Sequence, residues 1–225
     1  LMEMLFTCTL LVSVGFLGMW MSNLTRRSME SEVSRLVLER FLPKEVVDRA
    51  YQKPAHTITE PRRMNVTIVV SDLRDFTMYA ESVSPEHAFA HLNAIQSLLA
   101  ATVDAHQGKV DKFLGDGMLA VFGMSGTEVD HARQGINAAF AMVSEAKKLA
   151  LLTRTPIRLG VGVHSGPVMV GCIGMGRRVE FTVLGDTVNV ASRLQEMTKE
   201  KGVEGLVSSE SWSQMLHRKE EPTPS

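Results

Sequence analysis

The segment DKFLGDGMLAVFG (111–123) constrains the fold more than any other part of the chain. Val110, Phe113 and Leu114 lead into Gly115, Asp116 and Gly117, and Met118, Leu119, Val121 and Phe122 lead out. Two apolar runs around a Gly-Asp-Gly turn read as a hairpin of two buried strands. Turn chemistry accounts for the glycines and the aspartate. It does not account for Lys112, four residues earlier, so the charge at that position needs another reason.

The flanking segments alternate with this hairpin. NVTIVVSD (65–72) is a β-branched apolar run and reads as a buried strand. Residues 85–106 read as a helix opened by Pro85 and closed by Gly108, with Ala88, Leu92, Ile95, Leu99 and Val103 on one face. Residues 130–152 read as a second helix with Ile136, Phe140, Val143 and Leu149 in its core stripe. IRLGVGVHSG (157–166) and VMVGCIG (168–174) read as two strands around a turn, and VEFTVLG (179–185) as another. A helix over 186–202, a strand near 204–208 and a short helix complete the pattern. Strand, helix, hairpin, helix, strand is the order of an α+β, ferredoxin-like (βαββαβ) domain. In that topology the first strand lies beside the hairpin, which places Asp72 near Asp116.

The N-terminal part reads differently. Residues 4–22 carry no charge and as a helix would span about 28 Å, close to a bilayer core. Trp20 lies near one end and Arg26 and Arg27 follow, which puts the C-terminal side in the cytoplasm. A signal peptide would want a basic start and a small-residue cleavage site; a buried core helix is the other alternative. The expectation is a transmembrane helix at 1–23 and a helical dimerisation or transducer segment with linker at 24–62. A globular domain at 63–217 and a disordered tail at 218–225 follow. The chain begins with Leu1, consistent with further segments upstream. The net charge of −1 gives no general pull toward nucleic acid. Cys8 and Cys172 are the only cysteines, which fits a reducing compartment and argues against a cysteine-rich zinc site. His106 and His164 read as structural.

Two constellations carry chemistry. Asp72 and Asp116, converging from different strands, can hold a hard cation through oxygen ligands, as Mg²⁺ sites do with one or two carboxylates plus substrate phosphates. The alternative is that Asp72 caps the segment after it. Asn189 and Arg193, at i and i+4, share a helix face suited to orienting a sugar and neutralising phosphate charge, or simply to solvation.

VVSDLRDFT, KFLGDGMLAVFG, GVHSGPVMVG and FTVLGDTVNVASRL together resemble the class III nucleotidyl cyclase catalytic domain, from about Met64 to Trp212. The resemblance implies a membrane-anchored adenylate cyclase of bacterial type that converts ATP to 3′,5′-cyclic AMP and pyrophosphate. It implies two Mg²⁺ or Mn²⁺ per site, held by Asp72, Asp116 and the main-chain carbonyl of Leu73. Phe76 and Thr77 match the loop whose amides contact the triphosphate, and Lys112 and Thr182 the pair that reads the purine. Asn189 matches the residue that orients the ribose, and Arg193 the one that stabilises charge on the α-phosphate. Lys donates to adenine N1 and Thr can accept from the 6-amino group, so the unexplained Lys112 acquires a role. The family builds each site from two subunits, which implies a head-to-tail homodimer. Three departures accompany the match. Asp75 stands where the family often has Gly, Pro167 where some members have a phosphate-contacting Arg, and the usual C-terminal strands with a phosphate-contacting Lys are not found before Ser225. Guanylate cyclase, or a catalytically weak cyclase-like dimerisation or sensor module, are the alternatives.

Overall fold

The computed structural model describes residues 61–124, 130–175 and 178–217. The expected span at 1–23, the transducer segment and linker up to residue 60, and the expected tail lie outside these residues. Among the described residues, no helix is long and apolar enough to cross a membrane.

The elements run β1 (Arg62–Leu73), α1 (Phe76–Ser82), α2 (Pro85–Ala105), β2 (Lys109–Leu114), β3 (Gly117–Phe122) and α3 (His131–Thr153). They continue with β4 (Leu159–Met175), β5 (Arg178–Leu184), α4 (Asp186–Glu200), β6 (Gly205–Val207) and α5 (Ser209–His217). The strand order is β2-β3-β1-β4-β5, with β6 parallel to β4 at Val161–Val163. The expected βαββαβ core is present, with β1 antiparallel to both β3 and β4. Val66–Ser71 is buried without a break, because a central strand covered on both faces has no polar side to alternate with.

Two layers cover the sheet. On one face Val69, Leu73, Met118, Ala120, Phe122, Val161 and Val163 pack under α2 and α3. The helix α2 starts as its sequence implies, with Ser84 accepting a hydrogen bond from the His87 amide and Pro85 in the first turn. The stripe of α3 differs from expectation. Ala132, Ile136, Ala139, Met142 and Ala146 are buried, whereas Phe140 is 66% exposed. Small side chains let α3 lie close to the sheet, and Phe140 falls on its flank.

On the other face Val66, Ile68, Val70, Leu119 and Val121 pack with Ala191 of α4 and with Val168, Val170 and Val183. Gly162 permits this close packing: a Cβ there would collide with the main chain of Ala191 and Gln195. The second half of β4 and its partner β5 reach back across the molecule until β5 meets β2, the strand at the opposite end of the order.

The expected turn between 166 and 168 is absent, and β4 runs through Pro167 opposite Asn65. Proline breaks a strand by removing a ladder donor. Here β6 pairs only with Val161–Val163 and β5 only from Met169 onward. Pro167 lies in the gap between them, and its carbonyl accepts from Thr187 Oγ1 at 2.7 Å. Among the described residues no strand pairs with Pro167 on that edge.

The seven-residue helix α1 is an element the sequence pattern does not announce. Asp75 precedes it with φ of 61°, a left-handed conformation that Asp adopts more readily than most residues. Both histidines are hydrogen-bonded within the fold. His106 Nδ1 lies 2.8 Å from the Thr102 carbonyl, and His164 Nδ1 lies 2.8 Å from Ser208 Oγ.

Candidate active site

The hairpin turn is two residues long. Leu114 pairs with Gly117, leaving Gly115 and Asp116 between them. Gly115 has φ of 66°, the sign that a type II′ turn requires at its first central residue. Asp72 comes from the adjoining strand, where Ser71 pairs with Met118 and Asp72 itself pairs with Gly160. Its Oδ1 lies 3.0 Å from where a Gly117 Cβ would stand. The absence of a side chain at Gly117 thus keeps space for the carboxylate beside the turn. Asp72 caps no helix; it is a strand residue aimed at the hairpin end.

The electrostatics record this approach. Burial, and then the neighbouring Asp116 carboxylate, push the Asp72 carboxyl above its ordinary range, while Lys199 of α4 partly offsets them. Two carboxylates held together with incomplete local compensation fit a hard divalent cation. Among the described residues no group of three or more His, Cys, Asp or Glu is arranged to hold a metal. Further ligands would therefore be main-chain or phosphate oxygens or water. Leu73 is 5% exposed and anchored in the core beside Leu159, which fixes the backbone next to Asp72.

Phe76 packs against the core and stacks obliquely on Tyr79 at 6.0 Å between centroids, while Thr77 is exposed in the first turn of α1. Phe76 also lines a cleft of about 400 Å³ with Tyr79, His91 and Arg158. The Asp75 charge does not stand alone beside this loop, because Arg158 Nη1 lies 3.5 Å from its Oδ2.

The two expected base-reading residues also come together, through a third. Thr182 Oγ1 donates to Asp111 Oδ2 at 2.8 Å, and Lys112 Nζ lies 3.6 Å from the same oxygen. Lys112 also donates to Glu180 of β5. A register shift between Val110 and Lys112 marks a bulge at Asp111; bulges commonly re-aim side chains in this way. Burial pushes the Asp111 carboxyl up, against the lowering effects of Thr182 and Lys112. Partial burial opposes the Lys112 charge, but Glu180 and Asp111 together hold its pKa above the usual range. The sequence reading missed Asp111 and Glu180. An acid beside Lys112 in an otherwise apolar run was the available signal for the first.

Asn189 and Arg193 lie exposed on α4, whose buried side carries Thr187, Ala191 and Thr198. The helix begins at Gly185, with φ of 155° and ψ of 167°, a region left almost entirely to glycine. The end of α4 sits over the carboxylates, where a Gly160 Cβ would meet Thr198. Its start sits by Pro167, and β4 residues 160 and 167 are about 23 Å apart along the strand. Among the described residues, neither Asn189 nor Arg193 is hydrogen-bonded or ion-paired with Asp72 or Asp116. One copy of the chain brings the carboxylates together and brings Asp111, Lys112, Thr182 and Glu180 together, but among the described residues it does not join either group to the Asn/Arg pair.

Residues 58–221 match the family model described as the adenylate and guanylate cyclase catalytic domain. The chain belongs to this family. The cyclase domain is 32% identical over 172 residues to Adenylate cyclase 1 of Rhizobium meliloti (strain 1021), covering 75% of the chain and 26% of that protein. It is 33% identical over 175 residues to Receptor-type guanylate cyclase gcy-4 of Caenorhabditis briggsae, covering 76% of the chain and 15% of that protein. The chain thus spans about a quarter or less of these two relatives. Among solved structures, a bacterial light-regulated adenylyl cyclase superposes on the cyclase domain with a TM-score of 0.72 at 26% identity, covering 83% of this chain and 55% of that one.

Proposed function

We propose that the chain is an adenylate cyclase that forms 3′,5′-cyclic AMP and pyrophosphate from ATP at sites shared by two copies. The observation that carries the reading is the convergence of Asp72 and Asp116 at the hairpin turn. In this reading Asp72, Asp116 and the Leu73 carbonyl would hold two Mg²⁺ or Mn²⁺ ions. Bound there, such cations polarise phosphate oxygens and lower the pKa of the attacking 3′-hydroxyl. The 3′-hydroxyl gives its proton to solvent water as its oxygen attacks the α-phosphorus, and the bond from that phosphorus to the bridging oxygen breaks, so that pyrophosphate leaves with the electron pair. The first-turn amides of Phe76 and Thr77, free of intrahelical partners as in any helix, meet the triphosphate. From the other copy, Asn189 orients the ribose and Arg193 stabilises charge developing on the α-phosphate.

Lys112 and Thr182 favour adenine. Lys112 Nζ donates to N1, exchanging Glu180 for the base, and Thr182 Oγ1 accepts from the 6-amino group. The protonated N1 of guanine offers Lys112 no acceptor. Guanylate cyclase is the second reading, since a guanylate cyclase stands among the similar proteins. The experiment compares ATP and GTP turnover in Mn²⁺. The parental chain is expected to prefer ATP, and Lys112→Glu combined with Thr182→Cys to lower ATP turnover and raise GTP turnover relative to it. Equal use of both nucleotides by the parent, or a ratio indifferent to the double substitution, contradicts the adenine assignment.

Assembly of two copies is supported by apolar surface around the base-reading cluster. Phe113 and Leu114 on the hairpin and Met169, Ile173 and Leu184 on the β4–β5 arm are between 42% and 56% exposed, more than scattered surface residues require. The bilayer anchor at 1–23, with the catalytic domain on the cytoplasmic side, belongs to the same proposal and rests on the uncharged run at 4–22, Trp20 near its end and Arg26 and Arg27 after it. Deleting residues 1–23 is expected to move the chain from the membrane to the soluble fraction; retention in the membrane pellet would contradict the anchor.

A further inference from the structure

Asp111 is a buried carboxylate with no part in the reading above. Its side chain is 2% exposed, and its Oδ2 accepts the Thr182 hydroxyl proton at 2.8 Å. Burial works against the ionised form, and the Thr182 hydrogen bond and Lys112, 3.6 Å from that same oxygen, work for it. An ionised carboxylate only accepts hydrogen bonds, whereas a hydroxyl can donate one and accept others. With its proton committed to Asp111, Thr182 Oγ1 has only lone pairs to offer a second partner. Left without Asp111, the hydroxyl would rotate to suit either a donor or an acceptor and would discriminate poorly.

We propose that Asp111 is a positioning residue for base selection, locking the Thr182 hydroxyl as an acceptor and so selecting nucleotides with a 6-amino group. This rests on the assignment of Lys112 and Thr182 as the base-reading pair. It adds a distinct claim: a third side chain, which touches no part of the nucleotide, sets the polarity of the contact. Thr182 is itself only 5% exposed, so a base reaches it when Lys112 moves from Glu180 to N1. The Asp111–Thr182 bond does not have to break in that exchange. A site built to pair with a substrate amino group rejects analogues lacking it because its buried polar group is left without a partner.

The test measures kcat/KM of the full chain in Mn²⁺ for ATP and for purine riboside triphosphate, which lacks only the 6-amino group. Asp111→Asn can donate to Thr182 and turn its proton toward the base. The preference for ATP is expected to fall about tenfold, the effect of one lost hydrogen bond. Thr182→Val should lower the preference similarly, and the double variant no further, because Asp111 acts through Thr182. Asp111→Glu, which keeps the carboxylate, should retain most of the preference and serves as the second variant if Asp111→Asn does not fold. An unchanged preference in Asp111→Asn alongside its loss in Thr182→Val overturns the proposal, as do independent, multiplying effects in the double variant. If Thr182→Val leaves the preference at the parental value and Lys112→Met leaves kcat/KM for ATP at the parental value, the base-reading assignment itself fails and takes the proposal with it.

Discussion

Replacing Asp72 by Asn is expected to lower cyclic nucleotide formation by about a thousandfold or more while making the ligand-free protein harder to unfold. The two effects share one cause. The carboxylate is half-buried, and burial together with Asp116 raises its pKa. A group whose folded pKa is raised favours the folded state below its unfolded pKa and loses that contribution as pH rises through the folded pKa. At neutral pH the charged Asp72 therefore works against folding, and an isosteric amide removes the repulsion. Catalysis runs the other way, because the cation that the charge would hold is worth several kcal/mol to the reaction. Cyclic product measured chromatographically, beside thermal unfolding at a series of pH values, checks both halves. The Tm advantage of Asp72→Asn should be small near pH 4 and grow toward pH 7. A variant that stays active, or one less stable than the parent at pH 7, contradicts this account of the carboxylate pair. Such opposition between stability and activity is common where an active site stores like charges.

Mixing two inactive variants should restore activity. Arg193→Ala is expected to lose about 10²- to 10³-fold in kcat, the usual effect of removing a group that stabilises transition-state charge. Asp72→Asn is expected to be nearly inactive for the reason given above. In a dimer whose sites each take carboxylates from one copy and the Asn/Arg pair from the other, a mixed pair contains one doubly defective site and one intact site. Free exchange at equal concentration makes half the dimers mixed, so about a quarter of parental activity should return. The motivation is spatial: α4 places Asn189 toward Pro167 and Lys199 toward Asp72. Activity that stays at the level of the separate variants after prolonged mixing would show that each copy builds its site alone.

The sequence made some of these relations legible and concealed others, for identifiable reasons. The hairpin and the central strand announce themselves because turn chemistry and β-branched runs are local signals. The meeting of Asp72 and Asp116 follows once strand, helix, hairpin, helix, strand is accepted, since that order leaves few arrangements. Pro167 misleads because a proline's effect on a strand depends on whether its edge is paired, and only the lengths of β5 and β6 decide that. Phe140 misleads because i+4 spacing from Ile136 cannot distinguish a core position from a helix flank when alanines supply the contact. The helix α1 is too short to show a period. Asp111 and Glu180 were hidden for a deeper reason. The bonds of Asp111 with Thr182 and of Glu180 with Lys112 join the two ends of the strand order, and they need both a bulge in β2 and an arm that crosses the sheet.

That junction has a consequence for motion. Among the described residues β2 and β5 share no main-chain pairing; the Asp111, Lys112, Thr182 and Glu180 side chains join them. Parting two paired strands would sacrifice a row of amide bonds, whereas unfastening this seam releases a few polar contacts, one of them partly open to solvent and weakened by salt. The fold can therefore part at this edge at the expense of side-chain contacts alone, with every ladder left intact.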